Sequence, residues 1–175
     1  MPVPNKMIVV EDKFKALFDQ LPLTTNKVGS EFKTVFGYGD EKELYSFLDN
    51  NRRKLPYPLI WYLHPVEEEH TRTDVQLKDA VLVLATITTT NKTNAQRMET
   101  SFKEVLIPLF DNIKTALMRS NVFDVKGQDL GYKVTKFFNY GDEELVKSQA
   151  IDVWDAMRVR FDCSVNSRCT EQIKI

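Results

Sequence analysis

One stretch of the sequence, residues 79–120, constrains the fold more than any other. It begins with an apolar run from Val81 to Ile87, which is too short to be a good helix. A run that is apolar on both faces predicts a strand buried in the middle of a sheet. From Thr86 to Thr90 threonines surround Ile87, so we expect this strand, 79–90, to extend beyond the core into solvent.

The second part of this stretch has the spacing of a long amphipathic helix that begins near Asn94 or Thr93. Pro108 lies inside the pattern, and because an internal proline removes a helical hydrogen bond, we expect a bend near 104–108 or two successive helices. The apolar residues recur at steps of three and four and form one stripe: Met98, Phe102, Val105, Leu106, Leu109, Ile113 and Leu117. We expect this stripe to pack on the 79–90 strand, bringing together Leu82, Leu84, Phe102, Leu106, Leu109 and Ile113.

The other predicted elements are shorter, except for the last strand. Fifteen residues, Ile151–Val165, alternate in character, which predicts one long bent strand or two strands with a bulge at Asp155. This order predicts one α+β domain over residues 1–175, with a mixed, mostly antiparallel sheet and helices packed on one face. The remaining predicted elements are a helix over 14–21, a strand near 32–36, a helix capped by Asp40, a strand over 57–63 and a strand over 132–138.

A charged connection, residues 64–78, joins two of the strongest predicted strands. It shows little periodicity and no core-facing pattern, and a connection of this length is uncommon without a function. We therefore expect a projecting loop or hairpin arm at 64–78.

Two segments, 35–41 and 137–143, resemble each other, and each follows a predicted strand. Shared turn chemistry explains the similarity, because glycine permits a positive φ and aspartate caps the element that follows. The alternative is an old duplication or a repeated contact surface.

Composition excludes several classes of protein. The formal net charge of −1 gives no reason to expect a general polyanion binder. Two cysteines, Cys163 and Cys169, are too few for a disulfide scaffold. We expect no signal peptide, and no apolar run approaches the roughly 20 residues that span a membrane. The prediction is a soluble protein, made in a reducing cytoplasm, with no membrane partner.

The sequence contains only weak candidates for catalytic residues. His64 and His70 flank Glu67, Glu68 and Glu69, and imidazole with carboxylate could bind zinc or manganese, but a loop offers no rigid frame for a metal. Gly37-Tyr-Gly39 lacks the further glycine and the lysine of a phosphate loop. No serine or cysteine lies in a nucleophile motif. We therefore expect no catalytic residues, no metal and no cofactor, and predict that the protein is not an enzyme.

The order of elements resembles the tail-terminator, tail-completion and neck-ring proteins of tailed bacteriophages. The resemblance covers roughly residues 10–165 and is one of pattern, without a specific motif. The features that carry it are the Tyr57–Trp61 strand, the charged arm, the Val81–Thr88 strand, the helix Asn94–Arg119 and the closing strand around Asp152–Asp155.

This resemblance implies a structural virion protein of the head–tail junction, assembled in the host cytoplasm. The subunits would close into a homo-oligomeric ring, on the order of six or twelve copies, between portal or adaptor and tail proteins. DNA would pass through the ring without specific binding.

Complementary charges would form the contact between subunits of such a ring. The candidate interface residues are Glu67, Glu68, Glu69, Arg72, Asp74, Arg52, Arg53, Arg158 and Arg160. The cluster of Arg52, Arg53 and Lys54 also reads as a solvated helix end or a small nucleic-acid site. Two alternatives to a ring subunit stay open: a non-viral protein-interaction adaptor, and a small metal-dependent enzyme using His64 and His70.

Overall fold

The computed structural model describes residues 7–25, 31–51, 58–125, 130–141 and 152–166. The helices are α1 Val10–Phe18, α2 Glu41–Asn50, α3 Asn94–Arg97 and α4 Ile107–Arg119, and a π-helical segment, Met98–Leu106, joins α3 to α4. The strands are β1 Thr24–Thr25, β2 Glu31–Phe32, β3 Val35–Gly39, β4 Leu59–Leu63, β5 Glu67–His70, β6 Asp74–Thr89, β7 Phe123–Asp124, β8 Tyr132–Tyr140 and β9 Asp152–Asn166. None of these helices is long and apolar enough to cross a lipid bilayer.

The two longest strands, β6 and β9, form the centre of the main sheet. They pair antiparallel over 16 and 15 residues, and the strand order is β3-β4-β6-β9. β5 pairs with β6 at one end, while β7 and β8 share the outer side of β9. Only β3 and β4 run parallel among the pairs of this sheet in the described residues. The predicted α+β fold with a mostly antiparallel, mixed sheet is confirmed.

The central strand, β6, begins at Asp74 and not at the predicted residue 79. A bulge near Asp79 breaks the alternation that would have shown its first residues to belong to the same strand. The register between β6 and β9 shifts between Leu77 and Ala80, and Asp79 adopts a φ of 53°. The backbone N–H of Asp79 donates to the Asp162 carboxylate at 2.8 Å. The extra residue in β6 shifts the alternation of side chains by one position, so that Leu77 and Ala80 both face the core.

The long helix, 94–119, packs on one face of this sheet together with α1. All six residues predicted to pack together belong to the resulting core: Leu82, Leu84, Phe102, Leu106, Leu109 and Ile113. Pro108 lies directly after the π-helical segment, where the helical hydrogen-bond pattern changes. The expected interruption near the proline is therefore a change of helical type within one continuous helix.

The opposite face of the sheet has its own core. Leu44 and Leu48 of α2 pack with Trp61, Val83 and Trp154. Asp40 begins α2 with a capping box, because its side chain accepts from the Glu43 N–H and the Glu43 carboxylate accepts from the Asp40 N–H. The expectation that helices occupy one face only is wrong: α2 covers part of the second.

The predicted arm is a hairpin that belongs to the main sheet. β5 pairs with the first part of β6, and a turn at 71–73 joins them. The expected absence of core-facing residues is wrong, because Val75 and Leu77 are buried among the residues of the larger core.

The last strand is continuous, and the irregularity near Asp155 lies in its neighbour. The pairing of β9 with β6 runs without a shift from Ala80 to Thr89. The register between β8 and β9 shifts between Phe137 and Tyr140, where Asn139 has a φ of 57°. β8 therefore carries the extra residue opposite Asp155.

Candidate interaction surfaces

The sheet face that bears α2 carries most of the predicted interface residues. Leu77 and Leu82, which pair with Glu68 and Val159, belong to the core on the opposite face. Because side chains alternate along a strand, five predicted interface residues point to the α2 face: Glu67, Glu69, Asp74, Arg158 and Arg160. α2 packs over Leu59 and Trp61, and at the end of the sheet that carries these charges its Glu41 pairs with Arg158. We call this end the polar sheet face. Acidic and basic members of the predicted interface thus lie on one surface.

The hairpin contributes ordered acidic side chains to the polar sheet face. Lys78 Nζ donates to Glu69 Oε2 at 2.9 Å, and this hydrogen bond raises the pKa of Lys78. Glu69 and Lys78 remain more than half exposed. Thr71 closes the turn, since its hydroxyl accepts from the Asp74 N–H and its N–H donates to the Asp74 carbonyl. The hairpin is therefore held by its own hydrogen bonds and presents charge to solvent.

Three other candidates of the hairpin differ in position. Arg72 lies in the turn and is exposed. Asp74 is half-buried at the start of β6. Glu68 points to the other face of the sheet, and its carboxylate lies 2.8 Å from His70 Nε2.

The basic candidates separate into two kinds of environment. Arg158 is partly buried, and its Nη2 donates to Glu41 Oε1 at 2.5 Å and to the Tyr140 hydroxyl at 3.1 Å. Arg160 is half exposed, with its Nε 3.9 Å from Asp79 Oδ1. Arg160 is therefore the better placed to meet another molecule, whereas Arg158 ties β9 to α2. Arg52, Arg53 and Lys54 lie outside the described residues.

A buried ion pair joins the long helix to the sheet, and the sequence reading did not single it out. Arg97 donates from Nε to Asp155 Oδ2 at 3.1 Å and from Nη2 to Asp155 Oδ1. Its Nη1 donates to Asn139 Oδ1 at 2.8 Å. Arg97 and Asp155 are 3% and 0% exposed, so neither charge is solvated by bulk water. The available signal was Asp155 itself, an acid on the apolar face of β9 that needs a buried partner.

The two histidines are held by different carboxylates. His64 Nε2 lies 3.0 Å from Glu11 Oε1 of α1, and its ring stacks on Tyr38. His70 contacts Glu68. In the described ranges, no group of three or more His, Cys, Asp or Glu side chains is placed to hold a metal ion. Cys163 is buried, and burial raises the pKa of its thiol to about 12, while Cys169 lies outside the described residues.

A groove of about 610 Å³ lies where β3 meets α2. Its walls include Tyr38, Lys42, Glu43, Phe47 and Trp61. The Trp61 ring reaches beneath Gly37, where an added Cβ would lie 2.6 Å from Cζ3, and Trp61 Nε1 donates to the Gly39 carbonyl at 3.1 Å. Glycine at position 37 is thus required by the close approach of the indole.

Comparison with known proteins assigns no family. The sequence matches no protein-family model, and no curated protein matches it. The similarity to phage neck and tail-completion proteins stays a prediction from the order of elements.

Proposed function

We propose that this protein is a structural subunit that closes into a ring at the head–tail junction of a tailed bacteriophage, in the neck or the tail-completion layer. The observation that carries the proposal is the polar sheet face. It presents Glu67, Glu69 and Arg160 on strands longer than the hydrophobic core beneath α2 requires. A heterologous contact between such mixed charges closes into a ring when its rotation allows.

The charges also support a subunit that surrounds DNA without gripping it. The net charge is −1, and Lys78 and Arg158 each pair with a glutamate of the same chain. Strong phosphate binding needs many cations that are not already neutralised. In this proposal the function is binding alone, with portal or adaptor and tail proteins as neighbours, and no turnover.

The test is made on particles, because the proposal assigns this chain a place in the virion. Purified virions should contain this chain in a small, fixed copy number at the head–tail junction. Its absence from purified particles would contradict the proposal. So would a turnover activity of the free protein that is lost when His64 and His70 are replaced.

Charge reversal tests the polar sheet face more cleanly than removal of the hairpin. Deleting β5 would expose the buried Leu77, so that loss of assembly could reflect misfolding. A Glu67→Lys/Glu69→Lys variant keeps the strand and should fold normally but enter particles poorly. The matched control is Asp19→Lys/Asp111→Lys, which also reverses two exposed acids, one at the end of α1 and one in α4. Equal incorporation of both variants would remove the hairpin acids from the interface.

A further inference from the structure

Among the edge strands of the main sheet, β3 and β8 are the longest and lie on opposite sides of it. β3 pairs only with β4, and β8 pairs only with β9 among the described residues. An edge strand presents a row of backbone N–H and C=O groups, which is a template for another strand. At nine residues, β8 is long for an edge, and five of its residues in succession, 132–136, are exposed.

The directions of these edges allow copies of the chain to join side by side. β3 is parallel to β4, and each further step from β4 to β6, β9 and β8 is antiparallel. β3 and β8 consequently run in opposite directions. A second copy placed beside the first, without being turned over, sets its β3 antiparallel to the β8 of its neighbour. Antiparallel pairing is the more stable arrangement for adjoining strands.

Exposed apolar side chains lie at both edges and on the same face. Tyr132 and Val134 of β8 are 44% and 38% exposed, and Tyr38 of β3 is 56% exposed. Their cross-strand partners Phe161, Val159 and Tyr62 all belong to the core beneath the long helix. Pairing β8 with β3 would bring these side chains together, and aromatic and β-branched residues form favourable cross-strand pairs.

Charge selects β3, rather than a second β8, as the partner. Lys133 and Lys136 are exposed on β8, so that two β8 strands would bring like charges together. β3 carries no charged residue between Val35 and Gly39, and the acids Glu41 and Glu43 follow it in α2. On the α2 side, Lys133 would come near the groove that Glu43 lines.

We propose that copies of this chain associate head to tail, with the outer edge of β8 in one copy paired antiparallel to β3 of the next. This rests on the proposed ring assembly for its choice of a second copy as the partner. The contact is heterologous, so each copy uses a different edge toward each neighbour, as closure into a ring requires. The polar sheet face would then remain free to contact the portal, adaptor or tail proteins above or below the ring.

Disulfide trapping tests the pairing. Single cysteines are placed at Tyr38 and Val134 in a Cys169→Ser background, where the remaining Cys163 is buried. Facing residues of antiparallel strands have the short Cα separations that a disulfide needs. Under mild oxidation, a mixture of the two single variants should give a covalent dimer, and the Tyr38→Cys/Val134→Cys double variant should give a ladder of oligomers. Tyr132→Cys and Lys136→Cys are tested in place of Val134→Cys to cover a shift in register.

The alternation of side chains provides the control. Lys133→Cys and Thr135→Cys place the thiol on the other face of the sheet and should cross-link to Tyr38→Cys at least several-fold less. Three results overturn the proposal: no dimer in any mixture at the highest concentration the protein tolerates, equal cross-linking at odd and even positions, or a dimer from Val134→Cys alone. Trapping failure with the chain still present in particles rejects the edge contact only. Trapping success with the chain absent from particles rejects only the phage assignment.

Discussion

Residues 35–41 and 137–143 have similar sequences, and their described strand residues, 35–39 and 137–140, end two edge strands on opposite sides of the sheet. The equivalent tyrosines nevertheless have different surroundings. Tyr38 is 56% exposed on the face of the long helix, whereas Tyr140 is 6% exposed in the core beneath α2. Both segments then reach a glycine with positive φ, Gly39 at 145° and Gly141 at 157°. The difference arises one residue before each tyrosine.

Position 37 is glycine and position 139 is asparagine, and each meets a different demand. Gly37 continues a regular strand and leaves room for the Trp61 ring. Asn139 takes a φ of 57° and accepts from Arg97, so that β8 bulges and Tyr140 turns to the second face. Asparagine enters this left-handed conformation more readily than most residues. One bulge thus converts a similar sequence from a solvent-facing edge into part of a core.

The largest expected effect comes from breaking the ion pair behind the bulge. Arg97→Met leaves the Asp155 carboxylate buried without its partner, which should cost about 3–5 kcal/mol of unfolding free energy. Urea unfolding followed by circular dichroism measures it. The Arg97→Met/Asp155→Leu double variant removes both charges and should recover most of the loss. A single variant as stable as the parent would show that the pair is not what holds β8, β9 and the helix together.

The aromatic contacts behind the two segments should differ in strength. Phe138 packs on Phe102 with ring centroids 5.1 Å apart, and Phe36 packs on Phe18 at 5.2 Å. Phe102 is fully buried, so Phe102→Ala should cost about 3 kcal/mol or more. Phe36→Ala, at a half-buried position, should cost clearly less in the same urea experiment. Equal losses would contradict this ranking of the two positions.

A smaller effect is expected at Gly37. Gly37→Ala brings a Cβ within 2.6 Å of the Trp61 ring, which Phe47 and the hydrogen bond to Gly39 hold in place. Overpacking of this kind costs about 1–3 kcal/mol. Thermal melting compares this variant with Gly131→Ala, where an added Cβ meets no atom within 4 Å. If both variants melt at the same temperature, the indole moves aside and the close approach does not constrain position 37.

The smallest effect should appear at alkaline pH, as a loss of stability when the buried tyrosines Tyr62 and Tyr140 ionise. Burial raises the pKa of both Tyr140 and Tyr62 above the usual tyrosine value of about 10. Because the folded state holds these protons more tightly than the unfolded state, their contribution to stability is complete below about pH 10 and is lost as the pH rises further. Urea midpoints across this range should fall less steeply for Tyr62→Phe/Tyr140→Phe. An unchanged slope would contradict the assignment to these two phenols.

The sequence alone determined those elements whose signal is local. The central strand, the apolar stripe of the long helix and the cap at Asp40 follow from periodicity and from hydrogen bonds between residues three apart in the chain. Each of these is present in the structure, and the six residues predicted to pack together lie in one core. Local patterns succeed here because burial of one face and satisfaction of the helix ends leave few other arrangements.

Only the tertiary structure decided what depends on register. The alternating pattern could not show that Asp79 forms a bulge or that β6 extends back to Asp74 on the other side of it. Nor could it show that Asn139 turns Tyr140 to the second face. Arg97 and Asp155 are 58 positions apart, and nothing near either residue identifies the other as its partner. The placement of Glu67, Glu69 and Arg160 on one face is likewise a property of the assembled sheet. A single inserted residue reverses the face of every side chain after it, so these features depend on long-range pairing that no local pattern encodes.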